Sequence, residues 1–323
     1  MKRRTAFGWN RDHVGHSSPF HPERPDRLRS IVDRLQEDGP WAELELCQAA
    51  AATREDALLV HTPEYLDTLE HAGGTRHLDP DTYATPSSLD VAMAALGYCL
   101  GIVRMVLEGE AENGFAAIRP PGHHATSERA MGFCLLSNAA IMARWAQVRF
   151  GVERVAIVDF DVHHGNGTQD IFYEDGSVFY LSTHQALIYP GTGLREETGY
   201  GPGNGTTINV PLSRGSGDDA LLNAFRVDFE PALERFRPDL LIASAGYDAH
   251  WRDPLAGLNA TVNGFAHLTR ILTEWADRWC SRRLVAALEG GYDLKALSAS
   301  VQATILALLD PEREIEDPIG PPQ

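Results

Sequence analysis

Two aspartates and two histidines, Asp159, Asp161, His163 and His164, fall together in IVDFDVHHGNG, where an apolar run gives way to glycines. Asp161 and His163 stand in D-x-H spacing, so an oxygen and a nitrogen can be aimed at one point. Asp248, in SAGYDAH after another apolar run, can add a third ligand. Two carboxylates and one imidazole suit a divalent ion such as zinc, offset its charge and leave a position open for water, which is a catalytic rather than a structural arrangement. A lone D-x-H is ordinarily a capping aspartate beside a hydrogen-bonded histidine. The metal reading rests on Asp159, His123, His124 and Asp248 recurring at matching positions. In RPPGHHA two prolines restrict the backbone ahead of His123 and His124, and Gly122 permits a tight approach. With three ligands already available, these histidines are free for proton transfer to and from an activated water. Tyr292, in LEGGYD, follows turn-favouring glycines and can donate a hydrogen bond to a developing oxyanion; taken alone it reads as a rim tyrosine.

Such groups converge only if the elements before them end on one edge. Short β-branched segments alternate with longer amphipathic ones along the chain, the pattern of a parallel sheet with helices on its faces. The expected strands are GFAAI, RVAIVDF, SVFYLST, TTINVPL, DLLIASA and RRLVAAL, with helices at about 88–107, 137–149, 217–235, 263–281 and 294–309. Asp218 or Asp219 is placed to cap the third helix, and Pro231 should kink or divide it. Each polar cluster directly follows a strand: RPPGHHA, DVHHGNG, HQALIYPGTG, GYDAHWRDP and EGGYD. In an open parallel sheet these positions share the carboxyl edge, where such folds bind ligands.

The 323 residues show no linker, no repeat and little low complexity beyond the terminal DPIGPPQ, so a single domain over 1–323 is expected. At 43% hydrophobic residues the chain can bury a sizeable core, and a net charge of −17 argues against nucleic acid or an anionic membrane as the main partner. MKRRTAFGWNRDH lacks the layout of a secretory signal, and the uncharged run from Val91 to Val103 is shorter than the roughly 20 apolar residues of a membrane span. A cytoplasmic location is expected. Cys47, Cys99, Cys134 and Cys280 are widely spaced and read as buried thiols. GYGPGNG opens a strand rather than a helix, so it is no dinucleotide fingerprint.

In order along the chain, RPPGHHA, GFCLLSN, DFDVHHGNGTQ, YPGTG, SAGYDAH and LEGGYD resemble the histone deacetylase family of zinc-dependent amidohydrolases, most closely its class II and bacterial branch. The resemblance runs from HPERPDRLRSI to the helix after Tyr292. It implies a single-domain α/β arginase-like fold with a central parallel sheet flanked by helices and an active site at the carboxyl ends of the strands. It further implies that Asp161, His163 and Asp248 are zinc ligands, His124 the general base and acid, His123 a largely electrostatic partner oriented by Asp159, and Tyr292 the phenol that polarises the carbonyl. Phe133 and Tyr189 would wall a narrow acyl-lysine channel, with Gly132 and Gly290 beside it. A potassium ion beneath the zinc would use Asp159, Asp161, His163 and Ser182. Asn166 stands where class I members carry aspartate, so His124 would lean on a neutral amide. His164, His184 and Asp253 read as hydrogen-bonded scaffolding.

Substrate class stays open between acetyl-lysine in a peptide or protein and small acetylated amines such as acetylpolyamines, which an acidic protein would attract. A catalytically silent binding module of the same fold is disfavoured by the intact set of ligands, histidines and Tyr292. A dinuclear manganese hydrolase lacks the further carboxylates that a second ion would want near Asp161. Homo-oligomerisation is left open.

Overall fold

Successive residues of the expected strand around Val155 face opposite ways: Ala156 and Val158 enter one apolar core, while Val155 and Ile157 enter a second. A strand covered by helices on both faces needs this continuous apolar run, which is why it reads as β-branched rather than as alternating polar and apolar. The computed structural model, which describes residues 2–11, 13–37, 39–71 and 75–322, builds the whole molecule on that plan.

The first part of the chain contributes β1 (Thr5–Trp9), α1 (Asp26–Glu37), β2 (Glu45–Leu46), α2 (Arg54–Ala57), α3 (Pro63–Glu70), β3 (Arg76–His77), β4 (Tyr83–Ala84) and α4 (Ser88–Leu107). Next come β5 (Asn113–Ala117), α5 (Asn138–Phe150), β6 (Val155–Asp159), α6 (Asn166–Phe172), β7 (Val178–Gln185) and β8 (Thr207–Leu212). The chain continues through α7 (Asp218–Asn223), α8 (Glu230–Phe236), β9 (Leu240–Ala245), α9 (Val262–Trp279), β10 (Leu284–Leu288) and α10 (Leu294–Leu309). Eight strands form one sheet in the order β2-β1-β5-β10-β9-β6-β7-β8, every neighbouring pair parallel. Helices α1, α9 and α10 cover one face together with Phe7, Phe115 and Leu241, and α4 and α5 cover the other with Ala116, Ile157 and Ile242.

All six strands expected from the apolar runs are present, and β1 and β2 extend the sheet beyond them. The segment TAFGW had no signal of its own, since five residues with one glycine owe their extended form to pairing along β5, from Thr5 with Asn113 to Trp9 with Ala117. HPERPDRL divides as a loop to Pro25 followed by α1. Helix α4 is longer than its uncharged stretch and, by length and composition, could cross a membrane; 61% of its apolar window is buried within the fold, where it packs beside α5 as a core helix. Pro231 divides the third expected helix: a π-helical turn, Ala224–Phe229, separates α7 from α8 and absorbs the missing backbone N–H. The capping expectation fails, because Gly217 occupies the N-cap and the Asp218 carboxylate instead accepts the Thr261 N–H and hydroxyl at 2.8 and 2.6 Å.

Candidate metal and proton-transfer site

The register brings the carboxyl ends of four central strands level. Asp159, last in β6, pairs with Ser244 of β9, β10 runs beside β9 to Leu288 opposite Ala245, and β5 runs beside β10 with Ala116 opposite Ala287. Loops 118–124, 160–165, 246–256 and 289–293 therefore open on the same edge.

Asp161, His163 and Asp248 meet there, their ligand atoms all within 4.8 Å of one another. The Asp161 Oδ1 accepts the His163 N–H at 2.9 Å, the Asp161 Oδ2 accepts the Gly290 N–H at 2.8 Å, and the Asp248 Oδ1 accepts the Val162 N–H at 2.9 Å. Of the four carboxylate oxygens, only Asp248 Oδ2 accepts no N–H. The buried Asp248 Oδ2 has no hydrogen-bond donor and only an ion-pair approach of 3.3 Å to the His163 Nδ1. A Cβ on Gly290 would stand 2.1 Å from that same oxygen, so glycine is required for the loop to pass the carboxylates. An orphaned buried carboxylate oxygen, two acids and one imidazole are the donor set of an open zinc site, and the residues fit such an ion.

His123 and His124 lie side by side, ring centroids 4.0 Å apart, in opposite surroundings. The His123 Nδ1 is 3.0 Å from Asp159 Oδ2, which also accepts the Tyr180 hydroxyl at 3.0 Å. Burial opposes a charge on His123, but the carboxylates of Asp159 and Asp161 outweigh it and raise its pKa well above the ordinary value. The His124 Nδ1 meets only the Asn166 amide oxygen, at 2.8 Å. Burial, followed by the neighbouring His123 and His163 imidazoles, holds His124 well below its usual range. Two adjacent imidazoles are thus pushed apart, one toward charge and one toward neutrality, which is how acid and base roles are separated within one site.

Above them opens a cavity of about 200 Å³ lined by His123, His124, Gly132, Phe133, His163, Tyr189, Gly290 and Tyr292, and also by Asp81, Pro121 and Leu255. The Phe133 ring meets that of Tyr292 edge-on at 5.8 Å, and Tyr189 meets His124 edge-on at 5.1 Å. Burial and the nearby acids Asp248 and Asp161 hold the Tyr292 phenol well above its ordinary pKa despite Arg27, so it stays a hydrogen-bond donor. Its backbone is held by Asp253, whose Oδ2 accepts the Tyr292 N–H at 2.6 Å. His164 and His184 are hydrogen-bonded scaffolding, to Thr192 and Gln169 and to Ser182 and Gly193 respectively.

Every expected site residue therefore reaches this edge. Ser182 is beside Asp159 in register, but its hydroxyl is engaged with the His184 Nδ1 at 2.9 Å. Several residues carried no advance role. Asp81 at the cavity mouth comes from the segment between β3 and β4. Arg27 donates to the carbonyls of Gly291, at 2.7 Å, and Glu289, and its guanidinium lies 4.9 Å over the Tyr292 ring. The quoted HPERPDR contained Arg27, but nothing local in that string points it at residues more than 260 positions away.

Known proteins resemble this chain in sequence and in fold. A family model described as the histone deacetylase domain matches residues 21–308. The chain is 43% identical over 316 residues to the chloroplastic histone deacetylase 10 of Oryza sativa subsp. japonica, covering 92% of this chain and 71% of that one. It is 39% identical over 303 residues to a histone deacetylase-like amidohydrolase of Pseudomonas aeruginosa, covering 93% and 80%. The crystal structure of the HDA15 HD domain superposes with a TM-score of 0.90 at 39% identity, over 94% of this chain and 91% of that one.

Proposed function

Because the chain belongs to the histone deacetylase family, we propose that it is a zinc-dependent deacylase that hydrolyses the amide of acetyl-lysine or a related N-acyl amine. The observation that carries this reading is the Asp161, His163 and Asp248 cluster beside two imidazoles of opposed charge preference, at the floor of a narrow cavity. Zinc held by those three residues would supply Lewis-acid polarisation of the acyl carbonyl and activation of water. His124, kept neutral, accepts the proton of the attacking water through its Nε2 while Asn166 fixes its Nδ1. The same nitrogen then returns the proton to the departing amine. His123, kept charged by Asp159, adds a positive field, and Tyr292 donates its phenolic hydrogen to the oxygen on which negative charge develops. Phe133 and Tyr189 exclude water along an aliphatic arm. A potassium ion near Asp159 and Ser182 remains an inference from the family resemblance, since the side chains there already have partners, and no step depends on it.

The direct test compares rates on an acetyl-lysine peptide, acetylputrescine and acetylspermidine with one preparation. Hydrolysis of at least one, about one zinc per chain, and loss of activity to a chelator with recovery on adding zinc are expected. Two tightly held ions per chain, or activity in a metal-free protein, would overturn the assignment. The peptide reading predicts the highest kcat/KM on the peptide, and the small-amine reading predicts it on one of the polyamines.

A second expectation concerns the neutral partner of His124. Replacing Asn166 by Asp puts a negative charge 2.8 Å from the Nδ1, favours the imidazolium and raises the pKa of His124. The base works only when neutral, so the acid limb of kcat/KM moves to higher pH in Asn166→Asp. Coupling to the titration of the attacking water reduces the size of the displacement but not its direction. Profiles of both proteins at matched zinc content check this; a limb that stays or moves to lower pH removes Asn166 from the support of the base.

A further inference from the structure

Glu289, the first residue after β10, is fully buried, and no Lys or Arg side chain pairs with its carboxylate among the described residues. Its Oε2 accepts two backbone N–H groups, of Gly122 at 2.6 Å and of His123 at 3.1 Å, and its Oε1 accepts the Ser244 hydroxyl at 3.1 Å. Burial is the largest influence on this carboxyl and pushes its pKa up to about 7. The charged His123 imidazole nearby offsets only part of that burial, and a methionine or leucine of similar size would fill the same space without burying a carboxylate. What the carboxylate supplies is reach. Its oxygen is an acceptor for two consecutive N–H groups at the turn that presents both histidines.

The carbonyls of this turn are held elsewhere, Gly122 accepting the Ala125 N–H at 3.0 Å and His123 the Thr168 N–H at 3.1 Å, whereas its Gly122 and His123 N–H groups are held by Glu289. Gly122 is pressed so closely against its neighbours that a Cβ would stand 2.6 Å from the Leu136 carbonyl oxygen and the Asn138 nitrogen. The loop thus has no side chain of its own between Pro121 and His123. Glu289 ties it to Ser244 of β9, while its own N–H donates to the Ala245 carbonyl at 2.9 Å. The residue is a strut between the β9 and β10 ends and the peptide immediately ahead of the imidazoles.

We propose that Glu289 is a positioning residue, whose side chain sets the placement of His123 and His124 through the Gly122 and His123 N–H groups without touching substrate. The catalytic part of this inference rests on the role of His124 given above. The demand is for an acceptor at full side-chain length, not for a charge. Glutamine meets it: its carbonyl oxygen can face the two N–H groups while its NH2 donates to the Ser244 hydroxyl. Aspartate keeps the charge but is one methylene short, so the loop must shift or lose its acceptor.

The experiment pairs Glu289→Gln with Glu289→Asp in the zinc-loaded, full chain. Amide hydrogen exchange of the peptide spanning residues 119–125 is read alongside kcat and KM on the best substrate of the panel. Glu289→Gln is expected to keep the exchange protection and kcat near those of the parent. Glu289→Asp is expected to exchange faster at this peptide and to lose kcat on the order of 10²-fold, the cost of misplacing a reacting group by about 1 Å, with KM little changed. The reverse order, an impaired Gln variant and a normal Asp variant, would mean that charge is the requirement and would overturn the proposal. Unchanged exchange in Glu289→Asp would equally overturn it. A parent protein inactive on every acyl amine would count against the deacylase reading instead, and the exchange measurement would still decide whether Glu289 holds the loop.

Discussion

Tyr292→Phe is expected to retain its zinc and its melting temperature and to lose roughly 10²-fold or more in kcat. The phenol's hydroxyl makes no hydrogen bond to a protein group among the described residues, so its removal orphans no partner and leaves the fold nearly untouched. The ring keeps its contacts: Phe133 edge-on at 5.8 Å and the Arg27 guanidinium at 4.9 Å are both made by the aromatic face or edge. What is lost is one donor whose bond to the substrate oxygen strengthens as negative charge develops. An interaction made mainly in the transition state lowers kcat and kcat/KM together and leaves KM nearly unchanged. The raised pKa of Tyr292 matters here, because a phenolate could not donate, and burial beside Asp248 and Asp161 keeps the proton on across the working range. Steady-state rates with metal content measured on the same samples check the prediction, and near-normal turnover would take Tyr292 out of the mechanism.

The placement of the proposed metal-binding and proton-transfer residues was legible in the sequence because each sits just after an apolar strand, while their roles came from the family resemblance. Asp161 follows Val155–Asp159, Asp248 follows Leu240–Ala245 and Tyr292 follows Leu284–Leu288, so strand periodicity alone predicts a common edge. The pairing of Asp159 with His123 came from the family resemblance, because His123 lies in a loop and β5 is separated from β6 by β10 and β9 in the sheet. Asp253 was read as hydrogen-bonded scaffolding and is so, but its partner, the Tyr292 N–H, and the role of Glu289 were not legible, since both rest on backbone N–H groups and a sequence gives no sign of which amides lack an acceptor. Tyr180 was hidden for another reason: in SVFYLST it reads as one more strand residue, and only the alternation of β7 turns its hydroxyl toward Asp159. β1 was missed because its stability comes from β5 and not from its own composition.

The same blindness to long-range pairing concealed the buried ion pair behind the site, whose disruption should have the largest effect on stability. Glu23, from the HPERPDR loop, and Arg119, just after β5, are both fully buried. They form two parallel bonds, Nε to Oε1 at 2.7 Å and Nη2 to Oε2 at 2.6 Å, while the Arg27 Nη1 approaches the Oε1 at 3.5 Å. Burial alone would raise the Glu23 carboxyl, but the Arg119 guanidinium prevails and brings it to about 2 from an ordinary 4.5. Glu23→Gln keeps the shape and removes the charge, leaving two guanidiniums without their carboxylate in a site closed to water. Losing one partner of such a pair costs about 3–5 kcal/mol, whatever the intact pair is worth against an apolar substitute. Because the folded-state pKa is the lower one, this stabilisation is fully present above about 4.5 and is lost as pH falls from there toward about 2. The gap in denaturation midpoint between parent and Glu23→Gln should therefore be widest at neutral pH and begin to close below about 4.5. Arg27 belongs to the same network and clamps the carbonyls on either side of Gly290, so the variant should also loosen the Tyr292 loop before it unfolds. Denaturation curves at pH 7 and pH 4 check the first expectation, and a midpoint equal to the parent's at pH 7 would show that water or a rearranged partner replaces Glu23 at no cost.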